Sequence, residues 1–150
     1  MLRGEQRQVP TPGINRRINV FVTMLWPSKK ALYGIRERRR RSKEFKEHLN
    51  NLLKHAKRHG LKRLILIMDN ATIHRSRETK RFLDRHADKI SPFYLPRYSP
   101  QLNEVEGRIN KGLKRDICTN NTYRSIGELE DAARRYLKSH NKRHKQRDLI

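Results

Sequence analysis

Leu64-Ile65-Leu66-Ile67-Met68 lies between Arg63 and Asp69, an unbroken apolar run in a chain that carries 37 Lys and Arg residues. Five residues are too few for a separate helix and too apolar for an exposed loop, so the run predicts a buried β-strand. The chain then turns abruptly polar, with Asp69, Asn70 and, four residues further on, His74. A carboxylate at the tip of a buried strand can hold a metal ion or a reacting group rigidly, but a strand also has to end in something polar. The run alone does not decide between the two.

The neighbouring pattern places this strand. Ile18 to Leu25 is β-branched and apolar enough for a strand, closed by Trp26-Pro27-Ser28, and Ala31 to Ile35 can return as its hairpin partner. From Ser42, Phe45, Leu49, Leu52, Leu53 and Ala56 recur at helical spacing, with Gly60 where a C-terminal cap belongs. A shorter helix is expected from Ser76 to about Ala87, with Phe82, Leu83 and Ala87 inward. Ile90 to Leu95 reads as a strand that Pro92 confines to a sheet edge, because proline lacks a ladder donor. The loop PRYSPQ then leads into a helix from Asn103 to about Arg115. In the last helix Ser125 is the N-cap and Glu128 completes a capping box, with Ile126, Leu129, Ala133, Tyr136 and Leu137 buried. Strands first and alternation afterwards predict an α/β fold, a mixed sheet with helices on both faces.

At 150 residues the chain fits one domain. We expect an irregular lead-in over 1–16, a folded domain over 17–139 and a frayed basic tail over 140–150. The formal net charge is +22, which calls for a polyanionic partner, nucleic acid above all. No segment combines a broad apolar face with a basic one, so a membrane surface fits poorly. The single cysteine, Cys118, excludes an intrachain disulfide and a cysteine-rich zinc site. MLRGEQRQVP lacks the apolar core of a signal peptide, and the apolar runs are too short to span a bilayer. The expectation is a soluble, cytoplasmic protein.

Two carboxylates stand out. Asp69 ends a strand and Glu106 falls in the first turn of a helix, and sites in open α/β sheets form at strand ends, so the two can converge across 36 intervening residues. Hard oxygen ligands suit Mg²⁺ or Mn²⁺ rather than Zn²⁺, and a pair of such ions supports phosphodiester displacement. The plainer readings stay open. Glu106 would also complete a capping box begun by Asn103, and Asp69 would also cap a turn.

"MDNATIH", with "LPRYSPQLNEVEGRINKGLK" after it, resembles the signature of DDE transposases of the mariner superfamily, in particular its bacterial insertion-sequence branch. The matching positions are Asp69, Asn70 and His74, then Leu95, Pro96, Tyr98, Ser99, Pro100, Leu102, Asn103, Glu106, Leu113 and Lys114. The resemblance implies a ribonuclease-H-like fold in which Asp69 is the second and Glu106 the third acid of a triad holding Mg²⁺ or Mn²⁺. It implies site-shaping roles for Asn70, His74, Tyr98, Ser99 and Asn103, with His74 a positioning residue rather than a proton carrier. The implied activity is DNA cleavage and then strand transfer, on transposon ends and a target, by a nucleoid-associated homo-oligomer.

Three departures accompany these matches. Glu104 stands where the pattern has Pro and Ile109 where it has Trp. The family's first catalytic Asp lies on a strand ahead of Ile18, and no Asp-bearing strand is visible there; Glu5 has no apolar run around it. The resemblance therefore implies a sheet missing its first, central strand, and a chain that is truncated, decayed, or completed by an upstream-frame polypeptide supplying that Asp. A nonenzymatic basic DNA-binding remnant is the alternative.

The cations expected to meet DNA are Arg38, Arg39, Arg40 and Arg41 in the run after Ala31–Ile35, Arg97 in the PRYSPQ loop, and Lys111, Lys114 and Arg115 beyond Glu106. Contacts of this kind give affinity without sequence information. His55/His59 and His140/His144 have metal-compatible spacing but no further ligands in sequence, so they read as ordinary surface histidines.

Overall fold

The computed structural model describes residues 17–37, 41–119 and 121–145. In order these form β1 (Ile18–Met24), β2 (Ala31–Glu37), α1 (Ser42–Arg58), β3 (Leu64–Met68), α2 (Arg77–Arg85) and β4 (Ile90–Tyr94). A short 3₁₀ turn at Pro100–Leu102 precedes α3 (106–118), in which π-helical turns Glu106–Asn110 and Lys114–Cys118 flank an α-turn at Lys111–Leu113. Helix α4 (Ile126–Lys145) ends the described chain. The lead-in over 1–16 and Arg38, Arg39 and Arg40 lie outside the described residues.

The expected mixture of strands and helices is present, but the strands stand in two pairs. β1 and β2 are an antiparallel hairpin, and β3 and β4 are parallel, with Pro92 of β4 opposite Leu66. Among the described residues β4 hydrogen-bonds to β3 alone, the edge position that a proline tolerates.

Period-two alternation decides what each strand faces. Phe21 of β1 joins Leu66 and Met68 of β3 in one core with Phe45, Leu49 and Leu52 of α1 and Phe82 and Leu83 of α2. The opposite face of the hairpin, carrying Val20, Val22, Ala31 and Ile35, packs on Ile109 and Ile117 of α3 and Ala133 and Leu137 of α4. Helices thus cover both faces of β1–β2. For β3–β4 they cover one: Ile65 is 73% and Ile67 63% exposed, so the five-residue run is half buried rather than wholly so.

Local chemistry set most helix ends. Gly60 takes φ +66° at the end of α1, as a C-terminal glycine should. Ser76 caps α2 by accepting the Thr79 N–H at 3.2 Å, but α2 stops at Arg85 and leaves Ala87 exposed in the next turn. Ser125 accepts the Glu128 N–H, while the Glu128 carboxylate takes the N–H of Arg124 rather than that of Ser125. At Gly112 the Tyr136 side chain of α4 comes close to α3, and a Cβ there would run into the Tyr136 hydroxyl. No helix among the described residues is long and apolar enough to cross a membrane.

The tail is the larger surprise. Instead of fraying near residue 140, α4 continues to Lys145 because its last turns are tied to β2. Buried His140 contacts the Lys29 carbonyl through Nε2 at 2.9 Å. Asn141 accepts the Ala31 N–H at 2.6 Å and donates to the Ala31 carbonyl at 2.9 Å, pairing with the strand as another backbone would. Asn141→Ala should therefore destabilise the fold by about 1–3 kcal/mol, since it strands two backbone groups. A urea midpoint shifted by less than about 0.5 kcal/mol equivalent would mean that the tail is not fastened.

His48, on the inner face of α1, is buried with Nε2 2.8 Å from the Thr23 hydroxyl and no partner at Nδ1. Burial first, then the nearby His74 and Arg36, pull its pKa down from 6.5 to about 4. Between those values the unfolded chain binds the proton more readily, so the contribution is complete above pH 6.5 and lost as pH falls towards 4, by roughly 3 kcal/mol. Denaturation at pH 7 and pH 4.5 should show this drop, and His48→Leu should flatten it.

Candidate functional site

Asp69 comes directly after the last residue of β3, so the strand fixes its backbone. Its Oδ1 accepts the Ala71 N–H at 3.0 Å and lies 2.8 Å from His74 Nδ1. The His74 ring in turn packs against Phe45 of α1, centroids 4.6 Å apart. His74 Nδ1 also lies 3.2 Å from the Asp69 carbonyl, so the ring spans the space from the aspartate to α1.

Asn70 ties this turn to the next segment. Its Nδ2 donates to the Leu95 carbonyl at 2.6 Å, and its Oδ1 accepts Arg75 Nε at 2.7 Å. The Arg75 guanidinium lies 4.4 Å over the Tyr94 ring, and the Tyr94 hydroxyl donates to the His74 carbonyl at 2.9 Å. Such a closed ring of partners fixes the loop after β4 relative to Asp69. In that loop Tyr98 is almost fully exposed at φ +56° and Ser99 bonds the Arg97 carbonyl.

Glu106 opens α3. Asn103 Oδ1 accepts the Glu106 N–H at 3.4 Å, a weak cap, but the carboxylate does not return the bond. It accepts instead from Asn110 Nδ2 at 2.9 Å and Lys114 Nζ at 3.1 Å. The Glu106 carboxylate therefore does not complete a capping box, in which a glutamate would point back along the chain. The Asn110 amide bond, then the Lys114 ammonium, hold its carboxyl below the ordinary value against the opposing effect of burial.

Asp69 and Glu106 line one open cleft of about 690 Å³, together with Asn70, Arg75, Arg97, Tyr98, Ser99 and Asn103. Of the expected cations, Arg97 is in its wall and Lys114 reaches Glu106, while Arg41 lines a different cavity between the starts of α1 and α2. Lys111 is exposed on α3, and Arg115 is paired with Asp116 at 2.8 Å. His55 and His59 stack on each other, 4.1 Å between centroids, and His59 Nδ1 lies 2.9 Å from the His55 carbonyl. Arg75, Tyr94 and Asn110 were not anticipated. Asn110, one helical turn after Glu106, is the one whose spacing could have announced it.

The cleft offers hard oxygen donors suited to an oxygen-seeking divalent cation, and Mg²⁺ is commonly held by one or two carboxylates with water and substrate phosphates completing the shell. Two carboxylates therefore fit as a partial set. Among the described residues no group of three His, Cys, Asp or Glu could hold a metal ion.

A family model described as DDE superfamily endonuclease matches residues 1–130. The chain belongs to that family. The resemblance seen in the sequence to DDE transposases is thereby borne out, and members of the family generally act with divalent metal ions. The chain is 31% identical over 138 residues to the insertion element IS630 uncharacterized 39 kDa protein of Shigella sonnei, covering 92% of this chain and 39% of that relative. Among solved structures it is similar to a simian T-cell lymphotropic virus intasome in complex with PP2A regulatory subunit B56 gamma. That likeness has 16% identity and a TM-score of 0.45, over 87% of this chain and 53% of the other.

Removing the first of the groups that lower the Glu106 pKa should move its titration upwards. In Asn110→Ala the Glu106 carboxyl, monitored by ¹³C NMR, should titrate at higher pH than in the parent protein. An unchanged midpoint would show that the amide does not hold it.

Proposed function

We propose that the chain contributes the second and third acids of a transposase catalytic domain, which cuts DNA and joins the freed end to a target. The observation that carries this reading is the shared cleft of Asp69 and Glu106, brought together across 36 intervening residues by β3, β4 and α3. Its support on the fold side is the pairing of the strands. Among the described residues β1 and β3 each hydrogen-bond on one side only, yet Phe21 and Leu66 share a core. We read the space between them as the place of the central strand of a ribonuclease-H-like sheet spanning 17–139, with the helical end of α4 beyond it.

In the first step water attacks the phosphorus, the bond from phosphorus to the 3′ oxygen breaks, and that oxygen leaves as a 3′ hydroxyl. In the second the hydroxyl attacks a target phosphodiester, exchanging one such bond for another. Mg²⁺ or Mn²⁺ bound by Asp69 and Glu106 would supply charge neutralisation at the attacked phosphate and activation of the nucleophile. The protein's part is positional. His74 orients Asp69, Asn110 and Lys114 keep Glu106 ionised, and Asn70 fixes the PRYSPQ loop, whose Arg97 meets the phosphate backbone with Lys111, Lys114 and the Arg38–Arg41 run. Substrates, by this reading, are transposon ends and target DNA, handled by a homo-oligomer.

Mn²⁺ binding in the presence of a duplex oligonucleotide, monitored by electron paramagnetic resonance, tests the site without requiring turnover. Asp69→Asn and Glu106→Gln should each weaken it about tenfold or more, equivalent to 1.4 kcal/mol, and should abolish any Mn²⁺-dependent nicking of supercoiled plasmid. Mn²⁺ affinity indifferent to both changes, with DNA binding intact, would establish the nonenzymatic remnant instead.

A further inference from the structure

The chain's single tryptophan is its least expected exposed side chain. Trp26 is 72% exposed at the tip of the β1–β2 hairpin, where burying an indole elsewhere would contribute far more to stability. The tip is not a loose loop. The Leu25 N–H donates to the Lys30 carbonyl at 2.7 Å and the Lys29 N–H to the Leu25 carbonyl at 2.6 Å. Lys29 is held at φ +59°, and Ser28 Oγ accepts the Lys30 N–H at 3.3 Å. From behind, buried His140 and the two-bonded Asn141 of α4 brace the same turn.

Charge identifies what such a braced ring faces. Lys29 Nζ lies 5.4 Å from the Trp26 ring centroid. Lys142, Arg143 and Lys145, all exposed, fall within five residues of His140 on α4, about 8 Å along its axis. Neither 17–36 nor 132–145 contains an acidic residue. An exposed aromatic ring with one cation beside it, and more on the helix that braces its turn, matches a nucleotide, with the ring stacking on a base and the ammonium and guanidinium groups taking the flanking phosphates.

We infer that the tip of the β1–β2 hairpin and the last turns of α4 form a second DNA contact, in which Trp26 stacks on an unpaired base. This rests on DNA being the partner, as proposed above, but not on the acidic cleft. The two can therefore fail separately.

Because Trp26 is the only tryptophan, its emission reports this contact alone. Titration in EDTA with a duplex bearing a 3′ single-stranded overhang should quench it about twofold. Anisotropy of labelled DNA should show Trp26→Ala binding about tenfold more weakly, Trp26→Phe intermediate, and Asp69→Asn quenched like the parent. The residue is exposed, so circular dichroism should be unaltered by either change at 26. Emission unchanged at saturating DNA, parent-like affinity in Trp26→Ala, or equal quenching by a blunt duplex would each overturn the assignment.

Discussion

Everything near the cleft depends on one packing arrangement: Leu66 and Met68 of β3 press into the same core as Phe21 of β1 and the fully buried Leu49 of α1. Backbone hydrogen bonds do not join the two strand pairs among the described residues, so side-chain burial against α1 and α2 is what fixes β3 relative to the hairpin. Each fully buried Leu, Phe or Met contributes roughly 1.5–3 kcal/mol. That is enough to set the tip of β3, and hence the backbone of Asp69, without a continuous ladder. It also explains why the position of Asp69 is secured twice more, by His74 against Phe45 and by Asn70 on the Leu95 carbonyl.

What was legible in the sequence was what repeats. The helical recurrence of Phe45, Leu49, Leu52 and Ala56 marked α1, because tertiary packing selects for one apolar stripe and all four are buried. Proline at 92 marked an edge for a purely local reason. The run Leu64–Met68 misled on one count: continuous apolarity predicts cover on both faces, whereas Ile65 and Ile67 face solvent. Nor could periodicity see Asn141, whose polar side chain satisfies a strand 110 residues away. A long-range contact of that kind leaves no local pattern, and a lysine-rich stretch looks frayed until its partner is known.

The cleft was legible as chemistry but not as geometry. Asp69 and Glu106 are recognisable by their flanking motifs, while each by itself also admitted a plainer reading, a turn cap for Asp69 and a capping box for Glu106. In the structure the Glu106 carboxylate turns to Asn110 and Lys114 rather than back to the helix start, and Asp69 Oδ1 accepts the Ala71 N–H as a turn cap does. Two donors on one carboxylate also suit the exchange of partners that the proposed metal site would require. An ammonium 3.1 Å away keeps the acid ionised yet can yield its place to a cation of higher charge at modest cost, because the Lys114 side chain is largely exposed.

The distribution of charge argues in the same direction. Helix α4 is polarised, with Glu128, Glu130 and Asp131 in its first turns and only cations from Arg134 onward. That order complements the helix macrodipole, a favourable term of about 0.3–1 kcal/mol per charge confined to the last turn and screened by salt. Arg134, Arg135 and Lys138 lie too far from the C-terminus to benefit, and with Lys142, Arg143 and Lys145 they repel one another. A net charge of +22 likewise works against the compact state. Folding alone therefore accounts for the last two or three of these cations and opposes the rest. A phosphate backbone reverses the sign of that balance, since each neutralised phosphate releases a condensed counterion. The excess of positive charge is thus a cost in the free protein and a driving force only in a complex with a polyanion.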